Sequence, residues 1–156
     1  MSLESTHGPE QPPGTISEYL EADHRRLDLK LTEAEQLVAA AALDDASDRF
    51  SEFASGLNRH IDAEEEILFP AVEALTGQLG PTTVMRAEHV EIRGRVNTAA
   101  EALSAGDAAV FKAAVDALAV LLAIHSMKEE YLLYPAADAA VGNQTRDDLV
   151  RRMLAR

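Results

Sequence analysis

His60, Glu64, Glu65, Leu68 and Pro70 return 65 residues later as His125, Glu129, Glu130, Leu133 and Pro135. A His and a Glu four apart share one face of an α-helix, so each copy aims an imidazole and a carboxylate at the same point. The repeat extends upstream, because His24 and His89 have the same separation and follow Glu-Ala-Asp and Arg-Ala-Glu respectively. A chain built this way must bring two similar halves together so that four imidazoles and two carboxylates find a common partner.

The apolar pattern around these residues is helical throughout. Thr15 and Glu18 form a capping-box pattern that opens a first helix, expected to run to about Leu43, with the stripe Ile16, Leu20, Leu27, Leu31, Ala34, Val38 and with His24 in its gap. A turn and cap at 44–47 lead into a second helix carrying Phe50, Phe53, Leu57, His60, Glu64 and Ile67. Pro70 is expected to interrupt it, with a short continuation to Leu75 and a loop at 77–81. A third helix from Thr82 or Thr83 holds Met85, His89, Ile92, Val96, Ala99 and Leu103 and closes at Gly106. The fourth carries Phe111, Val115, Leu118, Leu122, His125, Glu129 and Leu132, broken late by Pro135. A polar turn at 142–145 precedes a charged C-terminal helix over 146–155. Short connections make each half an αα-hairpin, and two hairpins burying their stripes predict an all-α, up-down-up-down four-helix bundle with a short extra C-terminal helix. The predicted domain covers residues 15–156, after a proline- and glycine-bearing flexible tail at 1–14 that contains His7.

The helical phase therefore places His24, His60, Glu64, His89, His125 and Glu129 in core positions. One such histidine is ordinarily a satisfied core residue; two carboxylates on the same stripes, with no Lys or Arg to neutralise them, require another cation. Six N and O donors exceed what one tetrahedral zinc needs, and carboxylates from facing helices can bridge two ions with room for an oxo or hydroxo bridge. The donor set suits iron or manganese, with zinc as a substitute.

Composition removes most competing chemistries. Cysteine is absent, which excludes thiolate metal sites and thiol nucleophiles. The net charge of −13 opposes nucleic acid and anionic membranes, so neither is an expected partner. No apolar run approaches the roughly 20 residues of a membrane span, and no signal architecture opens the chain, so a cytoplasmic protein is expected. Phosphate loops, Ser–His–Asp arrangements and His-Glu-x-x-His are lacking.

His in the first helix, His-x-x-x-Glu-Glu-x-x-Leu-Phe-Pro in the second, Glu-His in the third and His-x-x-x-Glu-Glu-x-x-Leu-Tyr-Pro in the fourth resemble the hemerythrin-like, or HHE cation-binding, domains, from Thr15 to about Val141. The resemblance implies a non-haem di-iron centre with Glu64 and Glu129 bridging and His24, His60, His89 and His125 as terminal ligands. It implies a protein that binds or reacts with O2, NO or peroxide, or alternatively a di-iron enzyme or iron donor in oxidative and nitrosative stress. Ferritin-type bundles use Glu-x-x-His, the opposite order and one residue shorter.

One position departs from the family's oxygen carriers. They place a second histidine one turn after the first on the third helix, where this chain has Arg93. Four core histidines instead of five leave an exchangeable position, which favours redox reactivity over storage. The repeat pairs Arg93 with Asp28, for which an ion pair with Arg93 or an orienting contact to a ligand is expected, and asymmetry between the two ions is expected at that pair. Glu65 and Glu130 lie about 100° further round their helices, as supporting or solvated groups. Tyr19, Tyr131 and Tyr134 are expected as core packing.

Overall fold

The computed structural model describes residues 14–156, all of whose regular structure is helical. Most of the tail assigned to 1–14, including His7, lies outside the described residues. The elements are α1 (Ile16–Ala39), α2 (Leu43–Ala63), a π-helical turn (Glu64–Leu68), α3 (Phe69–Thr76), α4 (Gly80–Ser104), α5 (Ala108–Lys128), a second π-helical turn (Glu129–Leu133), α6 (Tyr134–Ala140) and α7 (Asn143–Leu154).

α1 starts where the capping box places it: the Thr15 hydroxyl accepts from the Glu18 amide, and the Glu18 carboxylate accepts from the Thr15 amide, each at 3.0 Å. The first two amides of α1 are also held from afar, since the Asp138 carboxylate of α6 accepts from Ile16 at 2.9 Å and Ser17 at 3.0 Å. α1 ends at Ala39, short of the expected Leu43, because residues 40–42 close a Schellman turn. The Ala42 amide donates to the Leu37 carbonyl at 2.9 Å and Ala41 adopts φ 60°. The same turn recurs one repeat later, with Asp107 donating to Ala102 at 2.9 Å and Gly106 at φ 70°. Two like turns thus fold two like hairpins, α1 with α2 and α4 with α5. Ala41 occupies a left-handed position that Gly106 fills without a Cβ clash. Ala41→Gly is accordingly expected to raise stability by roughly 0.5–1 kcal/mol, despite the greater chain entropy of glycine; a lower urea midpoint would contradict this.

α4 begins at Gly80, earlier than Thr82, because Pro81 is suited to a first helical turn. α7 begins at Asn143, so the polar turn expected over 142–145 shrinks to Gly142.

The prolines do not break the second and fourth helices. Each is absorbed by a π turn: Phe69 donates to the Glu64 carbonyl and Tyr134 to the Glu129 carbonyl, five residues back, and Pro70 or Pro135 follows at the change of hydrogen-bond register. The extra residue changes the helical phase. Leu132, expected in the core, is 70% exposed, whereas Leu133 and Tyr134 are buried.

Buried apolar side chains form two clusters. One joins Leu27, Phe50, Phe53, Ile92, Val115 and Leu118 near the hairpin turns. The other gathers Ile16, Leu20, Leu68, Phe69, Tyr134 and α7's Leu149, Val150 and Met153. The polar residues of interest lie between them. The stretch Ala108–Ala140 is also long and apolar enough to cross a membrane by length and composition, with a mean hydropathy of 1.8 in its best window, which corrects the expectation that no run approaches that length.

Candidate metal centre

α1 supplies His24, α2 and its π turn supply His60 and Glu64, α4 supplies His89, and α5 and its π turn supply His125 and Glu129. All six sequence-derived residues are buried, and Glu64 and Glu129 have no exposed surface. Their donor atoms fall into two clusters, His24, His60, Glu64 and Glu129 on one side and Glu64, His89, His125 and Glu129 on the other, each with its atoms within 4.8 Å of one another. Both glutamates belong to both clusters. The His-x-x-x-Glu spacing explains this, because each π turn begins at the glutamate and so leaves the one-turn relation to the preceding histidine intact.

Each imidazole is oriented from its Nδ1 side by a carboxylate. His24 meets Glu130 at 2.7 Å and His89 meets Glu65 at 2.8 Å. His60 meets Asp23 at 2.9 Å and His125 meets Glu88 at 2.7 Å. Glu65 and Glu130 therefore hold histidines of other helices and are not members of the two clusters. With Nδ1–H donating outward, every Nε2 turns its lone pair to the centre. His24 and His60 then face each other at 3.1 Å between Nε2 atoms, as do His89 and His125. Two bare lone pairs so placed repel, so each pair must hold a proton or a metal ion between them. Donors about 2.1 Å from one ion and at right angles to each other are about 3.0 Å apart, so this spacing fits a shared metal.

The carboxylates carry the same message. Glu64 Oε2 and Glu129 Oε1 are buried without a hydrogen-bond partner, although imidazole nitrogens lie 3.2 Å and 2.7 Å away. Burial alone would lower the His60 and His89 pKa values, yet Glu64 with Asp23, and Glu129 with Glu64, outweigh it and hold both at about 10. Burial would raise the Glu129 carboxyl, but the imidazoles of His125, His24 and His89 hold it well below its ordinary value. The pocket thus concentrates negative charge that draws protons onto its imidazoles, the electrostatic condition for a bound cation.

Tyr134 enters this centre, where packing alone was expected. Its single O–H is shared between Glu64 at 2.5 Å and Glu129 at 2.8 Å, and its oxygen lies 3.2 Å from His24 Nε2. Burial first, then the two carboxylates, raises its pKa well above normal, so the phenol stays protonated and donates. The repeat places Phe69 opposite, stacked on His89 at 5.8 Å between centroids. Asymmetry between the halves therefore lies at Tyr134 and Phe69. The expected Asp28–Arg93 pair does not form: Arg93 binds Asn58 at 2.9 Å and Asp62 at 2.8 Å, while Asp28 is exposed. Asp28 lies on α1 and Arg93 on α4, helices that do not pack side by side. Tyr131 is 76% exposed and packs into no core, and Tyr19 is half-buried.

Asp23 and Glu88 were not singled out by sequence. Their signal was present, since an acid precedes each of His24 and His89, but each orients a histidine on the neighbouring helix. Asp23→Asn and Glu88→Gln are expected to weaken metal binding by about 10- to 100-fold without changing stoichiometry at saturation. Chelator competition would check this, and unchanged affinity in both variants would remove their orienting role.

A family model described as the hemerythrin HHE cation binding domain matches residues 15–150. A curated protein named as a DNA nickase from Nostoc sp. (strain PCC 7120 / SAG 25.82 / UTEX 2576) is 28% identical over 131 residues, which cover 84% of this chain. The match spans only 36% of that relative's length. No solved structure matches the chain significantly. With convergent His and Glu clusters on the motifs that the family model covers, the chain belongs to the hemerythrin HHE cation-binding domain family.

Proposed function

We propose that the chain is a non-haem di-iron protein built on an up-down-up-down four-helix bundle, with Glu64 and Glu129 shared between the ions, His24 and His60 on one, and His89 and His125 on the other. The observation that carries this reading is the pair of four-residue clusters with both glutamates in common. O2, NO or peroxide is the proposed ligand or reactant. A pair of redox-active ions with an exchangeable position supplies the electron-transfer chemistry that such molecules require.

The protein's own groups set the conditions. Asp23, Glu65, Glu88 and Glu130 fix the four imidazole orientations, the two apolar clusters exclude bulk water, and Tyr134 holds a proton between the shared carboxylates on the His24 side. A cavity of about 170 Å³ between α1, α2 and α7, bordered by Tyr19, Asp23, His60 and Met153, lies against the outer side of that half. Arg93, turned to Asn58 and Asp62, provides no fifth imidazole. That supports reaction with oxidants, as an oxidase, peroxide-consuming protein or iron donor, as the second reading. The nickase activity named for the relative is not carried over, because a net charge of −13 opposes contact with DNA phosphates.

Metal analysis and optical spectra of anaerobically purified protein, before and after O2, NO and peroxide, test the proposal. The expected result is two irons per chain and a spectral change with at least one of the three. Fewer than one transition metal per chain after iron-replete expression would overturn it. Catalytic loss of peroxide would select the second reading.

A further inference from the structure

α5 is apolar on two opposite faces. The inner one is buried and carries His125 toward the centre. The outer one presents Ala113, Ala117, Val120, Ile124 and Met127 and is continued by Tyr131 of the following π turn, all exposed, with Val120 at 62%, Met127 at 51% and Tyr131 at 76%. These residues alternate steps of four and three, the spacing of a coiled-coil seam, and no charged residue lies among them. A helix that is apolar all round is ordinarily covered all round. The seam, with Val110 and Leu132 at its ends, offers on the order of 600 Å² of apolar surface, or about 1,200 Å² for two copies, the lower bound of a specific interface.

We propose that this face is the two-fold interface of a homodimer in which α5 packs antiparallel against α5 of a second copy about Val120. Side-chain volume points to the occupant. The seam runs from small residues at Ala113 and Ala117 to large ones at Ile124, Met127 and Tyr131. Reversing one copy sets Ala113 against Met127, Ala117 against Ile124 and Val110 against Tyr131, large against small at each level, with Val120 meeting itself. A parallel pair would set Ala113 against Ala113 and Tyr131 against Tyr131, leaving one end hollow and the other crowded. Two chains of charge −13 repel over most of their surface, so an uncharged seam is where they can approach. The same charge disfavours an anionic bilayer as the occupant.

The chain has no cysteine, so single-cysteine variants report contacts cleanly. In the full chain, sedimentation at about 10 µM is expected to show a dimer, as for a micromolar or tighter Kd. Ile124→Glu is expected to weaken association by about 100-fold while helicity and metal content persist, because its side chain points away from the centre. Val90→Glu, on an exposed apolar residue of α4, is expected to leave the dimer intact. Under mild oxidation Val120→Cys is expected to form a disulfide-linked dimer and Ala113→Cys is not. The cross-link decides the matter if Ile124→Glu fails to fold. A monomeric wild type, an Ile124→Glu dimer, self-linking through Ala113→Cys, or flotation of wild type with phosphatidylcholine vesicles would each overturn the proposal.

Discussion

Glu129→Ala is expected to reduce bound metal from the proposed two ions to fewer than one per chain. Glu129 belongs to both donor clusters: Oε1 lies 2.7 Å from His125 Nε2, and Oε2 lies 3.1 Å from His24 Nε2. In the proposed centre, removing it would take a donor and a buried negative charge from each ion at once, whereas loss of one histidine would act mainly on one. Its repeat mate Glu64 is expected to behave alike. Glu66→Ala supplies the control, because that side chain, from the same acidic run, is 54% exposed and outside both clusters. Two ions retained by Glu129→Ala, measured by plasma emission on desalted protein, would put the metal elsewhere in the chain.

Metal removal is expected to lower the melting temperature by about 10 °C. An ion that binds only the folded state at about a thousand times its Kd stabilises by about 4 kcal/mol, and for a chain of this size each kcal/mol moves the midpoint by about 2–4 °C. The direction follows from burial: without the ion, Glu64 and Glu129 keep only imidazoles and the Tyr134 hydroxyl as compensation, with Glu64 Oε2 and Glu129 Oε1 unpartnered. Circular-dichroism melts of chelator-treated and reloaded protein would show the difference. Equal midpoints at full occupancy would mean that the ions sit outside the bundle interior.

How much of this centre could be read beforehand follows from which relations are local. His60 with Glu64 and His125 with Glu129 lie one turn apart on one helix, and His24 and His89 fill gaps in otherwise apolar stripes. Helical phase alone therefore nominated all six buried residues. The same phase failed after each glutamate. A π turn adds a residue, which moved Leu132 to the surface and brought Tyr134 under Glu129. Nothing in local propensity distinguishes that turn from a proline-broken helix, since both place the proline where a backbone hydrogen bond is lost. Asp23 and Glu88 escaped notice for a related reason: they lie next to a histidine in sequence and orient another on the adjoining helix.

The sequence by itself determined the helical class, the duplication and the six buried His and Glu residues that converge, because periodicity and the scarcity of compensating charge are properties of single helices read in order. Only the tertiary structure decided that both glutamates serve both clusters, that four outer carboxylates turn every Nε2 inward, and that Tyr134 stands where the other half has Phe69. Those are distances between helices, set by how two hairpins pack. The seam on α5 belongs to both levels: its spacing is written in the chain, but its exposure emerges only once the opposite face has been used to build the core.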